Sequence, residues 1–240
     1  ANQRGSFARR DKKKRGIEPN MKAFRMLCSI LVIFTTALCV TTAAQNLILR
    51  TSDVYLFYFN DSGAVNRVYT SLSNSEMADG IADFMNSWRP KEFQVYEDTG
   101  YDLQGIFTEA ESDNMMLIKK WLDISLTICL LSLIVSAAIC VWLLRSGYKK
   151  LMRSRTYATI ALSSAFSVAS FAFVSTHNGR LWLADKIGLM LPEDTTTLSI
   201  LLGNDFISMA NTFFMILAIV LLALTSYILL RLTRPPRIFY

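Results

Sequence analysis

The chain has 240 residues, of which 52% are hydrophobic and 18% charged, and it carries a formal net charge of +6 at pH 7. A mean hydropathy of +0.32 over this length indicates an integral membrane protein rather than a soluble globular domain. The basic N-terminal tail lies next to an apolar run and lacks interleaved aromatics, so it predicts contact with lipid headgroups, and the net charge needs no nucleic acid.

Residues 1–22 are polar and basic, and we expect a flexible arm on the cytoplasmic side of the membrane. The apolar run at 23–45 is the first predicted span. A secretory signal that starts at Met21 is the alternative, but the apolar run is longer than the core of about 7–15 residues that such signals have. Leu38 disfavours lipid attachment at Cys39, because that modification needs a small preceding residue.

Residues 46–118 carry twelve acidic residues against four basic ones and contain no cysteine. They predict a small extracytoplasmic α/β domain between spans 1 and 2. Val54–Phe59 favours a strand, which the turn sequence at 60–63 could join to Val65–Thr70 as a hairpin. A helix follows from the capping-box spacing of Ser73 and Glu76 and from an apolar stripe. That stripe consists of Met77, Ile81, Phe84, Met85 and Trp88.

Three more spans follow at 119–144, 157–175 and 205–231, which makes the fold class mainly α, a four-helix membrane bundle. Small and hydroxylated residues in the third span predict that it is the most enclosed helix. Basic residues fill the loop at 145–156 and the tail at 232–240, so the positive-inside rule places both termini in the cytoplasm of a plasma-membrane protein.

The loop at 176–204 is then extracytoplasmic. Within it, Leu181–Leu191 is too short to cross the bilayer but rich in Leu, Met and Trp, which predicts an interfacial helix. Thr195–Leu202 predicts a further apolar turn before the last span.

Two groups of residues have the chemistry for a site. His177 is the sole histidine and lies just past the third span, where it is either a general base or an ordinary polar loop residue. The second group precedes the second span, where Thr108 and Glu111 have capping-box spacing and Asn114 lies one turn after Glu111. A charged, capped helix start explains its acids equally well. We expect no metal and no cofactor, because the sequence lacks the corresponding motifs.

The order of one span, a cysteine-free external domain and three more spans resembles the lipoprotein intramolecular transacylases of bacteria. The residues that carry the resemblance are FTEAESDNMMLIKKW, from Phe107 to Trp121, THNGRLWLADK, from Thr176 to Lys186, and LSILLGNDFISMANTFF, from Leu198 to Phe214. They are similar in pattern to the approach to the family's second span, to its histidine-containing external loop and to the start of its fourth span.

The resemblance implies transfer of a fatty acyl chain from the glyceryl group of a lipoprotein's N-terminal cysteine to the amine of that cysteine. It implies His177 as an acid/base group, while the family's other histidine falls on Asn114. Glu111, Arg180, Tyr101 and Trp182 complete the expected substrate-binding set, and a membrane lipid or lipoprotein is the expected partner. The alternatives are a non-catalytic protein that binds a lipid, a lipoprotein or a membrane protein, and an accessory subunit that uses its basic arm.

Overall fold

The structure, a computed structural model, describes residues 3–68, 70–88, 92–98, 102–187 and 196–234. The long helices are α1 (Gln3–Arg50), α4 (Glu109–Arg145), α5 (Lys149–Ser175) and α8 (Asn204–Leu232). Shorter helices are α2 (Ser52–Ser62), α3 (Asn74–Asn86), α6 (His177–Ile187) and α7 (Thr197–Leu202). Strands β1 (Tyr96–Asp98) and β2 (Leu103–Gly105) pair antiparallel, with Glu97 opposite Gln104.

Four helical segments are long and apolar enough to cross a membrane, which confirms the predicted four-helix fold class. They are Ala23–Arg50, Glu109–Arg145, Lys149–Ser175 and Thr197–Leu232. The first of them extends a helix that already begins at Gln3, where we expected a flexible arm. Lysine and arginine are good helix formers, so a basic segment beside a span can continue its helix.

The first span, not the third, is the most enclosed helix of the bundle. In the most apolar segment of the first span 39% is buried, against 17% in that of α5. Helix α1 contacts α4, α5 and α8. The small side chains of α5 do pack inward, since Ser163 and Ser167 are buried, but they occupy one face and leave the rest of α5 exposed. The small residues of α5 therefore mark the face that contacts other helices, but α5 is not the central helix of the bundle.

Residues 51–108, which we call the head domain, differ from the prediction at their start. Val54–Phe59 belongs to helix α2, and residues Val65–Val68 form a 3₁₀ turn, so the expected strand and hairpin are wrong. The aromatic residues at 55, 58 and 59 have helical spacing, and burial of Tyr55, Tyr58 and Phe59 on one face outweighs their strand propensity. Gly63 ends α2 in the left-handed region, with φ of 62°.

Helix α3 confirms the prediction from the capping box. Ser73 and Glu76 exchange both bonds of the box, and Met77, Ile81 and Met85 are buried. Trp88 was wrongly placed in the same stripe. It is 96% exposed, because the helix ends at Asn86 and Trp88 no longer follows the helical spacing.

The head domain does not have a separate core. A single buried cluster joins α2 and α3 to the first turns of α4, to α7 and to the start of α8. It includes Phe59, Met77, Phe93, Met115 and Leu201. A head domain of this size buries little surface alone, so packing against the ends of the long helices supplies the rest of its core.

Helix α4 begins with a complete capping box, as predicted. The backbone N–H and the hydroxyl of Thr108 donate to Glu111 Oε2 at 2.9 Å each, and Glu111 N donates back to Thr108 Oγ1 at 3.3 Å. The other oxygen of Glu111 accepts from Leu198 N at 2.7 Å. Glu111 therefore fastens α7 to the start of α4.

Replacing Thr108 by alanine removes the hydroxyl from this box, and we expect a loss of about 1 kcal/mol in unfolding free energy. Chemical unfolding in detergent micelles measures it. Thr127→Ala is the matched control on α4, because its exposed hydroxyl donates only to Asp123 O within the same helix, at 2.9 Å. Equal losses in the two variants would show that the box contributes nothing specific.

Candidate functional site

A cavity of about 430 Å³ lies inside the bundle, beneath the head domain. Its walls come from α1, α4, α5, α6, α7 and α8, with Tyr55 of α2 and Met85 of α3 closing the side toward the head domain. The volume falls within the range of about 300–1,000 Å³ that small-molecule sites occupy. Its apolar lining includes Leu38, Leu122, Phe166, Leu202, Phe206 and Phe214.

Three polar side chains of this wall are hydrogen-bonded to neighbouring carbonyls. Thr41 Oγ1 donates to the carbonyl of Ala37 at 3.1 Å, and Asn211 Nδ2 donates to the carbonyl of Phe171 at 3.1 Å. The hydroxyl of Tyr55 donates to Leu49 O at 2.7 Å, and its burial raises the pKa of this phenol, which stays neutral. The cavity therefore suits an apolar ligand better than a polar one.

The cavity opens sideways between α4 and α5. Trp121 of α4 and Phe166 of α5 both line it, yet their side chains are 56% and 55% exposed. Leu38 of α1 also lines it and is half-exposed, which places α1 behind the opening. In a membrane such an opening faces the acyl chains of the surrounding lipids.

A cluster of charged residues fixes the head domain above the cavity. Arg50, at the end of α1, contacts Asp123 Oδ1 of α4 at 2.6 Å, and Lys119 Nζ lies 3.7 Å from Asp123 Oδ2. Lys119 also donates to the carbonyls of Met85 at 3.2 Å and Ser87 at 2.8 Å. These carbonyls end α3, where a helix dipole favours cations, so the cluster joins three helices.

Lys119 marks this cluster as buried structure rather than as a lipid contact. Its side chain is only 1% exposed and donates to backbone carbonyls, whereas lysines at a membrane interface commonly extend to the headgroups. Asp123 is 48% exposed, so water reaches one end of the cluster. The ion pair between Arg50 and Asp123 is not visible in the sequence, because the two residues are 73 positions apart and no local spacing relates them.

None of the predicted site residues that the structure describes is among the residues that line the cavity. Asn114 lies one helical turn from Ile118, which lines the cavity, and Ile118 leads on to Trp121. Glu111 is buried and occupied by its three hydrogen bonds to Thr108 and Leu198. Its geometry fits the alternative reading of the sequence, a capped helix start.

The remaining candidates lie on or near α6. His177 is the first residue of this helix and is exposed, while Leu183 of the same helix lines the cavity. Arg180 is partly buried, and its Nε has no hydrogen-bond partner among the described residues. Trp182 is 54% exposed and packs edge-on against Phe173, with ring centroids 5.6 Å apart. Tyr101 lies outside the described residues.

The turn between α5 and α6 determines where His177 lies. Gly179 N donates to Thr176 Oγ1 at 3.0 Å, and a Cβ at Gly179 would overlap the carbonyl oxygen of Phe173. Glycine is therefore required for α6 to pack this closely onto the end of α5. Since α6 also contacts α4, the helices that carry His177 and Asn114 are neighbours.

Within the described part of the chain, no three His, Cys, Asp or Glu side chains are grouped as a metal site would need. The groups available near the cavity are one exposed imidazole, one guanidinium and several amides and hydroxyls. Such a set can move a proton and orient an ester, while the cavity holds an apolar chain.

Comparison of the whole fold gives two similar solved structures, both of the membrane integral lipoprotein intramolecular transacylase Lit from Bacillus cereus. One has a TM-score of 0.68 and 11% identity, and the match covers 88% of this chain and 96% of that one. The second, a variant with one histidine replaced by arginine, has a TM-score of 0.70 and 10% identity, covering 91% and 96%.

The sequence itself matches no protein-family model, and no curated protein matches it. At this identity the likeness is one of fold. It confirms the architecture that the sequence resemblance predicted: the chain has the fold of a multi-pass helical membrane protein, similar to that of the lipoprotein intramolecular transacylase Lit.

Proposed function

We propose that this protein binds a lipidated N-terminal cysteine at the outer leaflet of the plasma membrane and transfers one of its acyl chains. The cavity holds the acyl chain, and the polar rim above it holds the glyceryl ester and the amine. The observation that carries the proposal is the apolar cavity, which is lined by exposed side chains of α4 and α5, Trp121 and Phe166. Helix α4 also carries Asn114, and α6, which lines the cavity through Leu183, carries His177.

The reaction needs one acid/base group and no external reactant. The amine nitrogen of the cysteine attacks the ester carbonyl, an N–C bond forms, and the ester C–O bond breaks. His177 accepts the proton that the amine loses and returns it to the departing glyceryl oxygen. Arg180, Asn114 and Trp182 orient the ester and the headgroup region.

The orientation of the chain rests on its charges. Basic residues surround one end of the bundle, while acidic residues are concentrated in the head domain. The positive-inside rule then assigns the head domain and α6 to the outer side and both termini to the cytoplasm. This is also the side on which lipidated cysteines of exported proteins reside.

A second candidate is a non-catalytic protein that binds the same lipidated segment. The observation that favours it is Asn114, because an amide neither accepts nor releases a proton at neutral pH. Transfer and binding differ in a chemical outcome, so one assay separates them.

The assay uses the purified full chain in liposomes with a synthetic diacylglyceryl lipopeptide that has a free N-terminal amine. Transfer leaves the mass unchanged but converts an ester into an amide, so mild alkali releases two fatty acids from the substrate and one from the product. A lipopeptide with an acetylated amine is the negative control. Binding of the substrate without conversion would replace the transferase with the second candidate.

Filling the cavity tests the role of its volume. We expect Ala210→Trp, on the cavity wall, to lower both binding and conversion of the lipopeptide by at least about tenfold, because an indole displaces the acyl chain. Ala223→Trp, on the exposed face of the same helix, is the matched control. We expect it to bind and convert the lipopeptide as the wild type does. Retention of binding by folded Ala210→Trp protein would exclude the cavity as the acyl site.

A further inference from the structure

The end of the bundle opposite the head domain brings together the end of α4, the start of α5, the end of α8 and the part of α1 where the first span begins. Val32 of α1, Leu143 of α4, Met152 of α5 and Leu229 of α8 form one buried cluster there. Beyond it, the guanidinium of Arg25 lies 4.4 Å from the centre of the Tyr148 ring. We call this end the basic rim, because cations from all four helices surround it.

Eight cations occupy the basic rim, and none forms an ion pair with a described side chain. The sequence has no acidic residue at 19–52, at 124–184 or at 206–240, and these stretches include the parts of the four spans that lie at this end. The eight are Arg25, Arg145, Lys149, Lys150, Arg153, Arg155, Arg231 and Arg234.

Two features leave this charge without a balancing group among the side chains that the structure describes. Helix α5 starts with Lys149 and Lys150 and has no acid in its first turn, so its dipole opposes the charges beside it. The Nε of Arg155 is buried and has no acceptor among the described residues. Like charges on one rim repel each other unless anions lie between them.

The surroundings identify the anion as a lipid. Exposed aromatic and aliphatic side chains flank the cations, including Phe24, Trp142, Tyr157 and Leu232. Such side chains mark the boundary between hydrocarbon and headgroups. An anion that reaches cations at this boundary is the phosphate of a membrane phospholipid.

From these observations we infer that the basic rim is a binding site for anionic phospholipid headgroups, centred on the start of α5. The site serves the lipids of the leaflet opposite the head domain. It is independent of the acyl cavity and of any transfer reaction.

The test measures binding of phosphatidylglycerol to the delipidated full chain by native mass spectrometry in detergent. We expect the wild type to bind phosphatidylglycerol in preference to phosphatidylcholine. The triple variant K149S, K150S and R153S is expected to weaken phosphatidylglycerol binding roughly 100-fold, from about 1 kcal/mol for each cation at a membrane surface.

The matched control removes three cations outside the rim, Arg67, Lys120 and Lys186, by serine substitution, and retains phosphatidylglycerol binding. A salt titration of the wild type gives a second measure that requires no variant, since salt screens exposed charges. Equal affinity for phosphatidylcholine, or full competition by soluble glycerol phosphate, would overturn the lipid assignment. So would retention of nucleic acid in place of phosphatidylglycerol.

Discussion

Replacing His177 by alanine is expected to lower the rate of acyl transfer by roughly 100- to 10,000-fold, the usual contribution of one acid/base group. His177 is the sole histidine of the chain and lies exposed at the start of α6, so its removal leaves no other imidazole to take the amine proton. The lipopeptide assay measures this loss directly. Binding of the lipopeptide is expected to remain, because the cavity lies deeper in the bundle.

Asn178→Ala is the control, because the neighbouring side chain is equally exposed but has no proton to exchange. Its transfer rate is expected to match that of the wild type. Unchanged transfer by the His177→Ala variant would remove the imidazole from the mechanism and return the assignment to the non-catalytic reading.

The converse change is Asn114→His, which supplies a second imidazole on the helix that leads into the cavity. If the rim holds the reacting ester, this variant is expected to raise the transfer rate by about 100-fold or more. Gln45→His places an imidazole within the cavity wall instead and is expected to give no gain. Equal rates in wild type and Asn114→His would show that the reacting groups lie away from Asn114.

Replacing Asp123 by alanine is expected to destabilise the protein by about 2–3 kcal/mol. Removing one member of a buried charge cluster costs roughly 3–5 kcal/mol, and the 48% exposure of Asp123 lowers that value. The loss leaves Arg50 and the fully buried Lys119 facing each other without their shared carboxylate. Chemical unfolding in detergent micelles measures the difference.

Asp113→Ala is the matched control, since this exposed carboxylate lies on the same helix and is expected to change stability by less than about 0.5 kcal/mol. A double variant, Lys119→Met with Asp123→Ala, removes the unpaired cation and is expected to recover part of the loss. If the Asp123→Ala variant has the same free energy of unfolding as the wild type, the cluster does not hold the head domain to the bundle.

The sequence predicted the features that local patterns determine. The apolar runs of the spans and the capping boxes at Ser73 and Thr108 depend on spacings within one helix, and each appears in the structure. The segment Val54–Phe59 was predicted as a strand because its side chains favour strands individually. The segment forms a helix because its aromatic face packs against Phe206 and a core that residues distant in the sequence supply.

The site was predictable only in part for the same reason. The chemistry of His177 and Asn114 is visible in the sequence. The cavity is not, because its wall combines residues from all eight helices, such as Thr41 of α1, Ser170 of α5 and Ala210 of α8. Nor does local spacing reveal that Arg50, Lys119 and Asp123 meet at the end of α3.

Photo-crosslinking with a lipopeptide that carries a diazirine on its acyl chain tests directly whether the cavity holds that chain. If the cavity holds the acyl chain, adducts are expected on its buried wall residues, such as Leu202, Phe206 and Ile207, and these adducts are lost in Ala210→Trp protein. Adducts confined to outward-facing residues such as Ile134, Ile219 and Val220, as free bilayer lipid would give, would contradict it.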